Sequence, residues 1–113
     1  FRGALDVGAT EINDAMQIAC VEGIADLARA TTSAEAAAAY QGEPMTFGAD
    51  YLIPKPFDPR LSGIVSTAVA RAAMETGVAA RPIEDLKAYK KARTSECCAR
   101  RRRSLRIRQN CRS

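Results

Sequence analysis

The run Asp58–Val78, DPRLSGIVSTAVARAAMETGV, decides the fold. Asp58 suits an N-cap, Pro59 the first helical position, and Gly77 the position just past the end. Between them Leu61, Ile64, Val65, Ala68, Val69 and Ala72 recur at steps of three and four residues, the period of one helical face. Val78 fits the apolar contact that accompanies a Schellman-type ending. The spacing therefore predicts a capped helix between Asp58 and Gly77.

Upstream of this helix, Met45–Phe57 is irregular. Pro54 and Pro56 hold Ile53 and Lys55 extended, so the stretch reads as a Pro-rich loop lying across a packed surface, anchored by Phe47, Tyr51, Leu52, Ile53 and Phe57. Residues 10–30 read as a longer helix with Thr10 as its cap. Its apolar stripe is Ile12, Met16, Ala19, Cys20, Ile24 and Leu27. Ser33 suits the cap of a short alanine-rich helix through Ala34–Tyr40, which Gln41–Gly42–Glu43–Pro44 would end. Downstream, Ile83–Lys91 reads as a short last helix with acids early and lysines late, the order the helix dipole favours. No βαβ alternation and no internal repeat is visible. The fold class is mostly α, three to four helices plus a Pro-rich loop.

The chain has 113 residues, 47% of them hydrophobic and none of them Trp, so a core must be built from Ala, Leu, Ile, Val and Met. Such a core is thin, and the helices are expected to dock on a neighbour. Left alone, the chain is expected to be partly helical and to melt with weak cooperativity. Histidine is absent, which removes the usual general base, the Ser-His and Cys-His nucleophile pairs and the commonest metal ligand. No apolar run approaches the roughly 20 residues that span a bilayer, and no secretory signal opens the chain, so no membrane contact and a cytoplasmic location are expected. The first residue is Phe rather than Met, as expected of a cut edge.

Charge is unevenly placed. From Arg93 to Ser113 there are eight arginines against Glu96 alone, a surplus of seven positive charges. The whole chain carries +4, which leaves residues 1–92 mildly acidic at −3. Three of the four cysteines, Cys97, Cys98 and Cys111, lie in the same tail. This shift marks a boundary near Ala92–Arg93, with 1–92 as body and 93–113 as an Arg-rich, disordered tail. Adjacent cysteines without a C-x-x-C pair or histidine do not make a zinc set.

Several local patterns come close to functional motifs. Gly3–Thr10 approaches a phosphate loop, but Ala9 stands where the lysine belongs, so it reads as a glycine-permitted kink. Glu11 with Asp14, and Glu22 with Asp26, read as solvated helix faces. Lys55, Asp58 and Arg60 would flank an anion near a helix N-terminus, but read more simply as a capped helix start with surface charges.

Longer strings carry a family resemblance. Phe1–Asn13 (FRGALDVGATEIN), Phe47–Leu61 (FGADYLIPKPFDPRL) and Val69–Ala79 (VARAAMETGVA) resemble, in order and spacing, stretches of bacterial malic enzymes. The likeness is strongest to the large enzymes that carry a phosphate-acetyltransferase-like domain after the malic part. It covers residues 1 to about 92. It implies oxidation of malate to pyruvate and carbon dioxide with NADP or NAD and a Mg or Mn ion. It also implies that this segment is the C-terminal part of an α/β Rossmann-type NAD(P)-binding domain, with residues 1–8 as a helical turn. The family's catalytic Tyr–Lys pair, metal acids and glycine-rich dinucleotide turn lie upstream of Phe1. Tyr51 and Lys55 match motif positions but not the catalytic pair. No catalytic, cofactor-binding or metal residue is therefore assigned, no cofactor is expected to bind the segment alone, and it is expected to be inactive. The expected partner is the rest of such a chain or another protomer. Arg93–Ser113 departs from the family and has the composition of GC-rich DNA read out of frame. The alternative reading is a small helical binding protein whose basic tail contacts nucleic acid or an acidic partner.

Overall fold

A computed structural model describes residues 1–30, 47–49, 51–54, 56 and 58–110, over 101–110 the backbone alone. Among the described residues four helices appear: α1 (Arg2–Asp6), α2 (Asp14–Arg29), α3 (Pro59–Glu75) and α4 (Leu86–Asn110). Among the described residues there is no strand. The helix predicted over Ala34–Tyr40, Lys55, Phe57 and Cys111 lie outside them.

α3 is the central element, and α1, α2 and α4 all pack against it. Its ends follow the sequence signals. The Asp58 carboxylate accepts the Arg60 amide at 3.0 Å, and Pro59 opens the helix. Past the Thr76 cap, Gly77 adopts φ 76°, where a side chain would be strained. The Gly77 amide donates to the Met74 carbonyl and the Val78 amide to that of Ala73, the paired bonds of a Schellman ending. The buried surface of α3 is wider than its predicted stripe. Val69 and Ala72 are buried as expected, but so are Gly63, Ser66, Thr67, Ala70 and Ala73. Ser66 and Thr67 satisfy their hydroxyls on the Ser62 and Gly63 carbonyls one turn back, which lets two polar residues sit inside the packing.

α2 begins three residues beyond the expected Thr10 cap. The Asn13 side chain accepts the Met16 amide at 3.0 Å and so caps the helix. Thr10 is engaged elsewhere, its amide donating to the Val78 carbonyl at 3.0 Å. The Asn13 amide group also donates to the Thr76 hydroxyl at 2.9 Å, tying the start of α2 to the end of α3. Met16 and Leu27 are buried and Ile24 half-buried, but Ile12 is exposed, and Ile18 and Val21 face outward on the opposite side.

The first residues form a helix, as the family resemblance implied and the kink reading did not. Gly3 lies inside α1 because nothing larger fits there. A Cβ on it would overlap the Ser66 carbonyl oxygen and lie 3.0 Å from the carbonyl carbon. Gly8, at φ 58°, then turns the chain. Residues 7–10 run antiparallel to 78–81. The Arg81 amide donates to the Val7 carbonyl at 2.8 Å and the Ala80 amide to that of Gly8 at 3.3 Å. The core under this clasp is small: Met16 and Val7 are its largest fully buried apolar side chains, and alanines of α3 fill most of the rest.

The expected break at Ala92–Arg93 is not a break in the backbone. The Asp85 carboxylate accepts the Lys87 and Ala88 amides at 2.9 and 3.0 Å, and the helix then runs unbroken to Asn110. A charge boundary does not end a helix when Ala and Arg, both strong helix formers, lie across it without Gly or Pro. The α3–α4 contact also crosses the boundary: Thr94 and the Lys90 carbonyl press on Gly63, where a Cβ would lie 2.9 Å from the Lys90 oxygen.

Candidate functional site

The polar centre of the structure lies where α1, α3 and α4 meet. Asp6, at the end of α1, accepts the Tyr89 hydroxyl at 2.6 Å and pairs with Arg2 at 3.0 Å, one turn back. Arg93 approaches the same carboxylate at 3.5 Å, pairs with Glu96 at 2.6 Å and stacks over the Tyr89 ring at 5.6 Å. Tyr89 and Arg93 lie four residues apart, so one face of α4 presents both to Asp6.

Electrostatics make this cluster a clamp. Burial alone would raise the Asp6 pKa. The Tyr89 and Arg2 hydrogen bonds and the Arg2 and Arg93 charges outweigh it and hold the carboxyl below its ordinary 3.8. Burial, reinforced by the bond to Asp6, pushes the Tyr89 hydroxyl up to about 12. A general base or acid working near neutrality needs a pKa near the operating pH. Tyr89 is moved away from it and Asp6 is already saturated with donors, so the pair holds α1 against α4.

Two clefts flank the clamp. One, of about 290 Å³, lies among Phe1, Ile24, Leu61, Val65 and Val69, with the Asp58 and Ser66 side chains at its wall. The other, of about 220 Å³, is lined by Arg2, Ser62, Arg93, Glu96, Cys97 and Arg100.

The motifs seen in sequence do not assemble into chemistry. Gly3 is used for helix packing and Gly8 for a turn, so Gly3–Thr10 is no phosphate cradle. Glu11, Asp14, Glu22 and Asp26 are exposed on or just before α2, and Asp26 pairs with Arg29. Among the described residues no three Cys, Asp or Glu gather to hold a metal. Arg60 folds back onto the buried Asp58 carboxylate, its Nη2 at 2.8 Å and its Nε at 3.1 Å, which is the capped-start reading. Of the expected loop anchors Tyr51 is buried and pairs its backbone with Gly48, but Phe47, Leu52 and Ile53 are exposed, because no described element buries them. Cys20, Cys97 and Cys98 are free thiols. No helix among the described residues is long and apolar enough to cross a membrane.

Sequence reasoning missed Asp6, Tyr89 and Arg93 as a group. They are separated by up to 87 positions and share no local motif; Arg93 was placed in the tail.

Comparison with characterised proteins gives the context. No family model matches the chain. Over 89 residues it is 62% identical to the NADP-dependent malic enzyme of Rhizobium meliloti (strain 1021), covering 79% of this chain and 12% of that protein. It is 57% identical to the NADP-dependent malic enzyme of Escherichia coli (strain K12) and 58% to the NAD-dependent malic enzyme of R. meliloti, each over 89 residues and the same shares. The chain thus spans about an eighth of the length of these relatives.

Proposed function

Starting from the homology of this chain to a segment of the malic enzymes, we propose that it is the closing helical part of a Rossmann-type NAD(P)-binding domain. In that role it helps to build an enzyme that oxidises malate to pyruvate and carbon dioxide. The observation that carries this reading is the identity of 57–62% to NADP-dependent malic enzymes over 79% of the chain. On this reading the segment's work is scaffolding. α3 is the pillar, and the Asp6–Tyr89–Arg93 clamp fixes α1 and α4 to it. The outward apolar side chains Leu5, Ile18 and Val21 are the surface that the rest of a malic enzyme chain, or another protomer, covers. The nicotinamide cofactor and the Mg or Mn ion belong to that larger assembly. The family-derived part ends near residue 92, and 93–113 is an extension foreign to the family; sequencing the gene across the codons for Ala92 and Arg93 checks this.

The 113-residue chain alone is expected to show no malate-dependent reduction of NADP or NAD with Mg or Mn present. Measurable turnover by the purified chain would overturn the scaffolding role. Co-expression with an intact malic enzyme protomer is expected to yield a co-purifying complex.

A further inference from the structure

The cleft lined by Arg2, Ser62, Arg93, Glu96, Cys97 and Arg100 has more donors than the fold consumes. Arg2 is engaged by Asp6, and Arg93 by Asp6 and Glu96 through its terminal nitrogens. The Nε of Arg93 is buried and closed to the cleft, but each terminal nitrogen carries a second N–H beyond its one ion pair. Arg100, two turns further along α4 on the same side, makes no ion pair or hydrogen bond among the described residues. The lining holds three guanidinium groups against one carboxylate, so its charge is positive.

We propose that this cleft between α1, α3 and α4 binds a phosphoryl group. A tetrahedral anion offers oxygens in several directions at once. It can accept from the Arg93 and Arg100 guanidinium groups and from the Ser62 hydroxyl together. A planar carboxylate has two oxygens and reaches fewer of these donors. Arginine forks suit such oxyanions. The volume, about 220 Å³, admits a phosphate with several of its waters. The site owes nothing to malate chemistry and stands whether or not the scaffolding role holds.

The test is a titration of the full 113-residue protein with inorganic phosphate, followed by amide and arginine Nε–H chemical shifts. Sodium chloride and sodium acetate at matched ionic strength are the controls. Saturable shifts at the Arg100 Nε–H and at the Ser62 and Glu96 amides are expected with phosphate, with acetate weaker and chloride inert. Arg100→Gln removes an exposed side chain that the fold does not use, and should weaken phosphate binding about tenfold. Arg71→Gln, an exposed arginine about two and a half turns along α3 from Ser62, should leave it unchanged. Absence of saturation, an equal response to chloride, or equal affinities for Arg100→Gln and Arg71→Gln would each overturn the proposal.

Discussion

Two glycine-to-alanine changes on the α3 interface should have opposite signs. Both Gly3 in α1 and Gly23 in α2 are buried against α3, and in both helices alanine brings up to about 1 kcal/mol of intrinsic propensity. The surroundings differ. At Gly23 a methyl would meet Ala68 Cβ and Ile64 Cγ2 at 3.7 Å and Val65 Cα at 3.8 Å, all ordinary contact. At Gly3 it would overlap the Ser66 carbonyl oxygen and lie 3.1 Å from Ser66 Cα, so α1 must move off a rigid backbone. Overpacking costs about 1–3 kcal/mol, and an obstacle made of main chain belongs at the upper end. Gly3→Ala should therefore destabilise the docking of α1 by about 2 kcal/mol after the propensity gain. The assay is native-state amide hydrogen exchange, which reads local opening without requiring a cooperative melt. The Val7, Ala9 and Arg81 amides, bonded to Gly3, Ala4 and Val7 carbonyls, report on α1. They should exchange about thirtyfold faster in Gly3→Ala. Amides in the middle of α2 should exchange about fivefold slower in Gly23→Ala. Unchanged protection in Gly3→Ala, or equal losses in both variants, would refute the argument from backbone proximity.

Asn13→Ala removes both the cap on α2 and the bond to Thr76, and should cost about 1–2 kcal/mol, read as faster exchange at the Met16 amide. Tyrosine absorbance titration should show one component near pH 12 that disappears in Tyr89→Phe. Folded Tyr89 keeps its proton to about pH 12 and an unfolded tyrosine only to about 10, so the native state holds more protons between these values. Stability from this group is complete below pH 10 and falls as pH rises to 12. Asp6 behaves in the opposite sense: its contribution is complete above 3.8 and is lost as pH falls further, and Asp6→Asn should flatten that acid limb of a stability profile. Mixing with single-stranded RNA at moderate salt should produce no binding on the malic enzyme reading; tight binding with a steep salt slope would favour the basic helix as a nucleic-acid contact.

Elements whose determinants are local were legible in the sequence. α3 announces itself through Asp58, Pro59 and Gly77, and its Schellman ending is as the residues specify. The last helix was legible in type only: it reads as Ile83–Lys91, whereas it begins at Leu86, where Asp85 takes its first amides, and runs on to Asn110. What escaped has physical reasons. The second buried face of α3 is made of Gly63, Ser66, Thr67 and alanines, which carry little hydropathy and become interior only because other helices press on them. α1 was hidden because Gly3 and Gly8 read as a kink, whereas Gly3 serves a contact with a residue 63 positions away. Thr10 looked like a cap until its amide was taken by Val78. The tail looked separate because composition changes at residue 93, yet Arg93 is held by Asp6 and Tyr89. The polar clamp was not legible at all: its parts come from opposite ends of the chain, and only the family resemblance, through residues 1–8 as a helical turn, hinted at order there.

The antiparallel clasp between residues 7–10 and 78–81 also constrains how the chain folds. Thr10 meets Val78 across 68 positions and Asp6 meets Tyr89 across 83. Closing a loop of that length costs about 4 kcal/mol in chain entropy before its contacts form. A protein made of helices thus carries the non-local connectivity that slows β-rich proteins. On a ribosome adding roughly 5–20 residues each second, α1 waits about 4–17 s for its partners on α4 to be made. The residues of α1 are thus among the last to find their place, long after they are made.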